Sequence, residues 1–235
     1  QSRGLGDVYK RQYSHSVSAS ADLYHSFGRL QANLLVEGFY TMLNNVFTLV
    51  RIGENEDGSI VYWERRNGSG ATVAGVNFEG KIGIPHRFEL QLGYTLQSSR
   101  YDTPERWSDQ LAPQRKMFRA PDHYGYLTSL FDITPRFKAS LFGTYTGSML
   151  VKHILSDGTN ETDLEQNTPS FWDMGIKLAY TFRIGKAVDL EVNTGVKNIF
   201  DAYQKDLDYG AFKDADYVYG PSLPRMYFVG IKFSI

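Results

Sequence analysis

The stretch FWDMGIKLAYTFRI, residues 171–184, alternates between two kinds of side chain at every second position. Its even positions form an entirely apolar row: Trp172, Met174, Ile176, Leu178, Tyr180, Phe182 and Ile184. The odd positions between them are mostly small, polar or charged. Because a period of two is the repeat of a β-strand, this stretch predicts one long strand with a single apolar face.

The next segment, VDLEVNTGVKNIF at residues 188–200, repeats the alternation after the short turn at residues 185–187. Two such strands across a short turn form an antiparallel hairpin. We expect Ile184 to face Val188 and Arg183 to face Asp189, since a slip of one residue would move charges onto the apolar face. Across residues 134–136 we likewise expect Asp132 opposite Lys138, and Ile133 opposite Phe137.

Similar segments recur along the chain and predict about nine strands. They lie at residues 13–25, 29–52, 60–84, 87–100, 122–133, 136–152, 169–184, 188–203 and 224–235. Short turns at residues 26–28, 85–86, 134–135 and 185–187 alternate with long polar connections at 53–59, 101–121, 153–168 and 204–223. Sorting of short and long connections to opposite ends is typical of outer-membrane barrels, with short periplasmic turns and long extracellular loops.

Composition limits the classes of protein that remain. The 235 residues carry a net charge of −1, which gives no indication of a nucleic-acid surface, and no cysteine, which excludes disulfides. Mean hydropathy is −0.36, and no apolar run is long enough for a membrane-spanning helix. The predicted fold class is therefore all-β: part of an antiparallel transmembrane β-barrel. The alternative, a soluble β-rich binding module, would not sort its loops in this way.

Residues 1–12, QSRGLGDVYKRQ, show neither alternation nor a helical period. We expect them to be a non-native or disordered leader of the kind that adapter sequence produces. The alternative is a flexible native loop that enters the first strand. Residues 13–235 are then the carboxy-terminal portion of the barrel.

Two segments near the end of the chain resemble TonB-dependent outer-membrane receptors. Residues 196–204, VKNIFDAYQ, are similar to the signature of the penultimate strand in that family. Residues 217–233 contain Tyr-Gly-Pro, Leu-Pro-Arg and YFVGIKF, and look like the carboxy terminus of these receptors, above all those of the Bacteroidota. The family usually ends on Phe, whereas this sequence ends on Ile235.

The resemblance implies active uptake of a scarce nutrient through a 22-stranded barrel with an amino-terminal plug. The nutrient would be an iron chelate such as a siderophore complex, haem, cobalamin or a glycan. The implied partners are the plug, the TonB energy-coupling complex, the barrel assembly machinery, and outer-membrane lipid with lipopolysaccharide. With about nine strands, the sequence is expected to be a fragment without the plug. The alternative is a complete small barrel that acts as a passive porin or adhesin.

No catalytic set, metal site or cofactor site is predicted, so we expect a protein that is not an enzyme. Five histidines are scattered without metal-ligand spacing. The acidic loop at residues 156–167 lacks the spacing of a calcium loop and is expected to be solvated.

The candidate extracellular ligand contacts combine cations with aromatic rings, which suits anionic chelates. They are Arg106, Trp107, Arg115, Lys116, Tyr217 and Tyr219. The alternative for this loop is a rim that binds lipopolysaccharide phosphates or nothing. The last strand presents an apolar row that we expect to face lipid and to serve as an assembly signal: Tyr227, Val229, Ile231, Phe233 and Ile235.

Overall fold

The computed structural model describes residues 10–54, 61–185 and 188–234. Over these residues the chain is built of β-strands and turns, and no helix is long and apolar enough to cross a membrane. The strands are β1 (Tyr13–Phe27), β2 (Leu30–Asn44), β3 (Phe47–Glu54), β4 (Val61–Asn67), β5 (Ala71–Ile84), β6 (Phe88–Glu105), β7 (Gln114–Lys116), β8 (His123–Asp132), β9 (Phe137–Thr146), β10 (Leu150–Ser156), β11 (Glu161–Asn167), β12 (Phe171–Ile184), β13 (Val188–Lys197) and β14 (Met226–Ser234).

Nine strands form one antiparallel wall in the order β1-β2-β5-β6-β8-β9-β12-β13-β14, and the short strand β7 pairs with β6. This arrangement confirms the predicted all-β, antiparallel class. Within the described residues, β1 pairs only with β2, and β14 pairs only with β13. The sheet is therefore open, as expected for nine strands of a larger barrel.

Two further hairpins extend the wall at one end, and here the predicted strand limits are wrong. The predicted strands at residues 29–52 and 60–84 divide into β2 with β3 and β4 with β5, and β3 pairs with β4 in a separate sheet. The predicted loop at 153–168 contains most of the hairpin β10–β11. Alternation continues through the first break, but Asn45 has a φ of 55°, which a strand cannot accommodate.

The turn between β12 and β13 has the predicted register. Ile184 pairs with Val188 and Arg183 with Asp189, whose side chains approach to 3.4 Å. Gly185 enters the turn with a φ of 65°, a left-handed conformation that glycine adopts without steric cost. Lys186 and Ala187 lie outside the described residues. With this register, Ile184 and Val188 continue the apolar row from β12 to β13.

The turn between β8 and β9 confirms only part of its prediction. Asp132 pairs with Lys138, and their side chains form an ion pair at 3.2 Å. Phe137, however, exchanges backbone hydrogen bonds of 3.1 and 3.2 Å with Thr134, so it does not pair with Ile133. The Thr134 hydroxyl also accepts from the Phe137 amide at 3.0 Å. Because this side-chain bond adds to the two backbone bonds, the turn closes between Thr134 and Phe137 instead of between Ile133 and Phe137.

The two faces of the wall differ as the alternation predicts. On β14, Tyr227, Val229, Ile231 and Phe233 are 65–75% exposed on one face. The opposite face is polar: Asn77 donates to Glu37 at 3.1 Å and accepts from Thr95 at 2.9 Å. A basic residue on the apolar face would cost about 2–4 kcal/mol at the centre of a bilayer, so the apolar face is the one suited to lipid.

Candidate ligand-contacting rim

Three connections at the end of the sheet opposite the short turns contact one another. We call them the rim and define it as residues 106–122, 147–170 and 198–225. Its Val151, Tyr217 and Tyr219 form a small apolar core with Phe171, the first residue of β12, and Met149 and Ala202 pack against this core. The long connections therefore form a packed structure of their own above the wall.

Asn198 and Asp201 fix both ends of the longest connection, residues 198–225. Asn198 is 2% exposed, and its side-chain amide donates to the carbonyls of Ala202 and Leu223 at 2.9 and 2.8 Å. Its side-chain oxygen accepts from the Ala202 amide at 2.8 Å. Asp201 accepts from the Arg225 amide at 2.9 Å. The Asn and Asp of the motif noted in the sequence therefore join the start of this connection to its end.

Asp206 organises the interior of the rim. Its carboxylate accepts hydrogen bonds from the hydroxyls of Tyr217, at 2.7 Å, and Tyr219, at 2.5 Å. Burial opposes ionisation of Asp206, but the bonds from Tyr219 and Tyr217 outweigh it and hold its pKa below the usual value. Burial, with the nearby carboxylate, raises the pKa of Tyr217 and raises that of Tyr219 to about 12. At neutral pH both phenols are therefore neutral donors to an ionised carboxylate.

His153 fastens the same connection to strand β10. Its ring lies parallel to the Tyr217 ring, with centroids 3.6 Å apart, and its Nε2 lies 2.9 Å from Asp208. The hydrogen bond from His153 lowers the pKa of Asp208. Asp214 accepts from the backbone amide of Ile154 at 2.9 Å. A stacked ring and two carboxylates thus hold residues 206–217 against β10.

A second contact joins residues 106–118 to the β10–β11 hairpin. The ammonium of Lys152 lies 5.1 Å from the centroid of the Trp107 ring and 4.9 Å from that of Phe118, within cation–π range. The Trp107 indole donates to Glu165 at 2.9 Å, and Gln114 donates to the other oxygen of Glu165 at 2.6 Å. Partial desolvation of its ammonium lowers the pKa of Lys152, although the residue is exposed.

Arg119 connects the remaining parts of the rim. Its guanidinium donates to the carbonyls of Asp216 and Val218, and its backbone amide donates to Leu150. Lys152 and Asp206 were not selected from the sequence. Their partners are distant along the chain, and no local pattern marks such contacts.

The structure separates the predicted ligand contacts into three groups. Arg106 and Arg115 are exposed, and Trp107 is half-buried within its contacts to Lys152 and Glu165. Tyr217 and Tyr219 are only 2% and 7% exposed, with their hydroxyls on Asp206. We correct their assignment, because buried rings bonded within the protein hold the rim together and present almost no surface to a ligand.

Lys116 alone forms the third group. It pairs with Arg100 across β6 and β7, and its ammonium forms an ion pair with Asp122 at 2.7 Å.

Of the predicted terminal row, the four described residues of β14 are exposed on the apolar face, and Ile235 lies outside the described residues. No group of three potential metal ligands occurs in the part of the chain that the structure describes.

An open antiparallel wall with one apolar and one polar face, short turns at one end and a folded rim at the other, defines a section of an outer-membrane β-barrel. Residues 4–199 match the model of the family described as TonB dependent receptor-like, beta-barrel. The chain belongs to this family. It is accordingly a protein of the outer membrane and not an enzyme, as the sequence predicts.

Solved structures with the same fold come from several receptors. The ferric-catecholate import receptor Fiu of E. coli K12, in its closed form, superposes with a TM-score of 0.62 at 22% identity over 95% of this chain. The siderophore receptor PirA of Acinetobacter baumannii gives 0.54 at 15% over 93%, and the copper transporter OprC gives 0.59 at 13% over 96%. The chain spans only 28–31% of the length of these three. No curated protein matches the sequence.

Proposed function

We propose that the chain forms part of the barrel of a receptor that takes up a metal chelate across the outer membrane, driven by the TonB complex. The observation that carries this proposal is the open wall, whose polar face is linked by hydrogen bonds and whose extracellular end holds a packed rim. Such a wall suits a barrel that is filled by a plug and covered by a ligand-contacting surface. A metal-bound chelate is favoured because Fiu is described as a ferric-catecholate import receptor, PirA as a siderophore receptor and OprC as a copper transporter.

The ligand contacts that we propose are Arg106, Arg115 and Trp107. Both arginines are exposed, and neither has a carboxylate within ion-pair distance among the described residues. Guanidinium groups and aromatic rings both suit planar, anionic ligands such as iron-bound catecholates. The Trp107 ring is held by its bond to Glu165, so the contact is preorganised.

The test is uptake by the full-length receptor encoded by the gene that contains this chain. Cells that lack other iron receptors and express it should accumulate radiolabelled iron from ferric catecholates, and uptake should stop when the proton gradient is collapsed. The variant R106A should weaken binding about three- to tenfold, the loss of one exposed ionic contact. As a matched control, R136A removes the same charge from a short turn at the other end and should bind normally. Uptake that continues without a proton gradient would instead favour a passive porin.

A further inference from the structure

The ammonium of Lys152 lies against two aromatic rings, where the β10–β11 hairpin meets residues 106–118. It is 5.1 Å from the centroid of the Trp107 ring and 4.9 Å from that of the Phe118 ring. The two rings meet edge to face, with their centroids 6.1 Å apart. Both rings therefore attract the same cation. The uptake proposal uses Trp107 as a ligand contact and assigns no role to Lys152.

The strand register adds a second hold on the same indole ring. Lys152 on β10 pairs directly with Glu165 on β11, and side chains at paired positions share one face of a hairpin. Glu165 accepts hydrogen bonds from the Trp107 indole at 2.9 Å and from Gln114 at 2.6 Å. The indole nitrogen is therefore held by Glu165, and the face of its ring by Lys152.

A separate pair of hydrogen bonds attaches residues 106–118 to the hairpin. The side-chain amide of Gln110 donates to the carbonyl of Glu161 at 3.0 Å, and its oxygen accepts from the backbone amide of Asp163 at 3.1 Å. These bonds do not depend on the charge of Lys152. Loss of that charge should therefore free the indole ring without detaching the whole segment from the hairpin.

The charge of Lys152 depends on the groups around its ammonium. Desolvation has the largest effect and lowers its pKa, Glu165 and Asp163 raise it, and Arg119 lowers it. The net direction is downward, so Lys152 loses its proton at a less alkaline pH than an ordinary lysine. A neutral amine has no cation–π attraction. The hold on the Trp107 ring is therefore complete at neutral pH and is lost as the pH rises through the lowered pKa.

We propose that Lys152 is a positioning residue for the ligand contact at Trp107, and that it holds this ring only while its ammonium is protonated. The inference rests on the proposed function, because it concerns the same ligand contact. It adds that the affinity for an anionic chelate falls under alkaline conditions. By thermodynamic reciprocity, binding of the chelate then favours the protonated form of Lys152.

The first measurement needs no ligand. The full-length receptor is labelled with fluorotryptophan and purified in detergent, and the fluorine NMR resonance of Trp107 is identified by its loss in W107F. This resonance should shift as the pH rises from about 7 to about 10. In K152R it should stay fixed, because a guanidinium remains charged over this range. A Trp107 resonance that does not shift, or that shifts equally in K152R, would overturn the proposal.

The second measurement is the affinity for the ferric complex of a synthetic tris-catecholate. At neutral pH, K152M should bind it about fivefold more weakly, whereas K152R should bind it nearly as well as the unchanged receptor. As the pH rises to about 10, the affinity of the unchanged receptor should fall toward that of K152M, and that of K152R should not. The control is K205M, because Lys205 is an exposed rim lysine with no ring contact or ion pair among the described residues, and its affinity should be unchanged.

The variant W107L decides whether Lys152 acts through the ring. In a W107L background, K152M should cost no further affinity. The same fivefold loss in that background would show direct contact between Lys152 and the chelate and would overturn the positioning role. Equal affinity of K152M and the unchanged receptor would overturn it as well. If the unchanged receptor binds no chelate at all, the proposed function fails, and the fluorine resonance still decides whether Lys152 holds Trp107.

Discussion

The substitution Asn198→Ala tests whether one buried side chain holds the longest connection of the rim. It removes three hydrogen bonds of 2.8–2.9 Å that involve Ala202 and Leu223. Each lost bond within a buried site costs about 1 kcal/mol or more. Asn198 also has a φ of 49°, and alanine in this left-handed region costs about 1–2 kcal/mol. The local stability of residues 198–225 should therefore fall by about 4 kcal/mol.

Hydrogen exchange on the full-length receptor measures this loss directly. Since 1.4 kcal/mol corresponds to a factor of ten, amides of residues 202–223 should exchange about two to three orders of magnitude faster. Asn193→Ala is the matched control, because Asn193 lies on β13, the strand that leads to Asn198, is half-buried and makes no side-chain hydrogen bond among the described residues. Unchanged protection of residues 202–223 in Asn198→Ala, or equal loss in both variants, would refute the reasoning.

Three further outcomes are expected. Gly195→Ala places a Cβ 2.2 Å from a backbone carbonyl and 2.6 Å from the Phe228 ring, so it should destabilise the β13–β14 pair by about 1–3 kcal/mol, measured as a lower unfolding temperature in detergent. Asp206→Asn should loosen the rim at neutral pH, because it removes an ionised acceptor with a lowered pKa. In the unchanged receptor this stabilisation is present above about pH 4 and is lost as the pH falls further. Hydrogen exchange of the rim measured at several pH values would show this loss. Trp107→Phe keeps an aromatic ring beside Lys152 but loses the hydrogen bond to Glu165; chelate affinity should fall, because the ring is held less firmly, but by less than in R106A, and unchanged affinity would show that the bond to Glu165 does not position a ligand contact.

The wall was largely predictable because strand alternation is a local property of the backbone. The register of residues 183–190 followed from keeping Asp189 and Glu191 on the polar face, and Asp132 opposite Lys138 followed from the same reasoning. The division of residues 29–52 did not follow, because alternation continues on both sides of Asn45 and only its φ reveals the break. The pairing Thr134–Phe137 was missed because it depends on a side-chain bond within the turn.

The candidate site was less predictable, because the identities of rim residues do not indicate their exposure. Tyr217 and Tyr219 have the residue type of ligand contacts, yet Asp206 draws both hydroxyls into the interior. Lys116 was assigned to the same surface as Arg106, and only the structure shows that it pairs with Arg100 and forms an ion pair with Asp122. The sequence indicated cations and aromatic rings in these connections but not the directions of their side chains.

The sequence by itself determined most strands of the wall, their two faces and the resemblance to the family, since a period of two and the motif at residues 196–204 are encoded in adjacent residues. The tertiary structure decided which distant segments meet above the wall. Trp107 reaches Glu165, His153 reaches Asp208, and Arg119 reaches Val218 only because the strand order places three connections side by side. Contacts between distant segments depend on this arrangement of strands in space, whereas alternation depends only on the geometry of the strand in which it occurs.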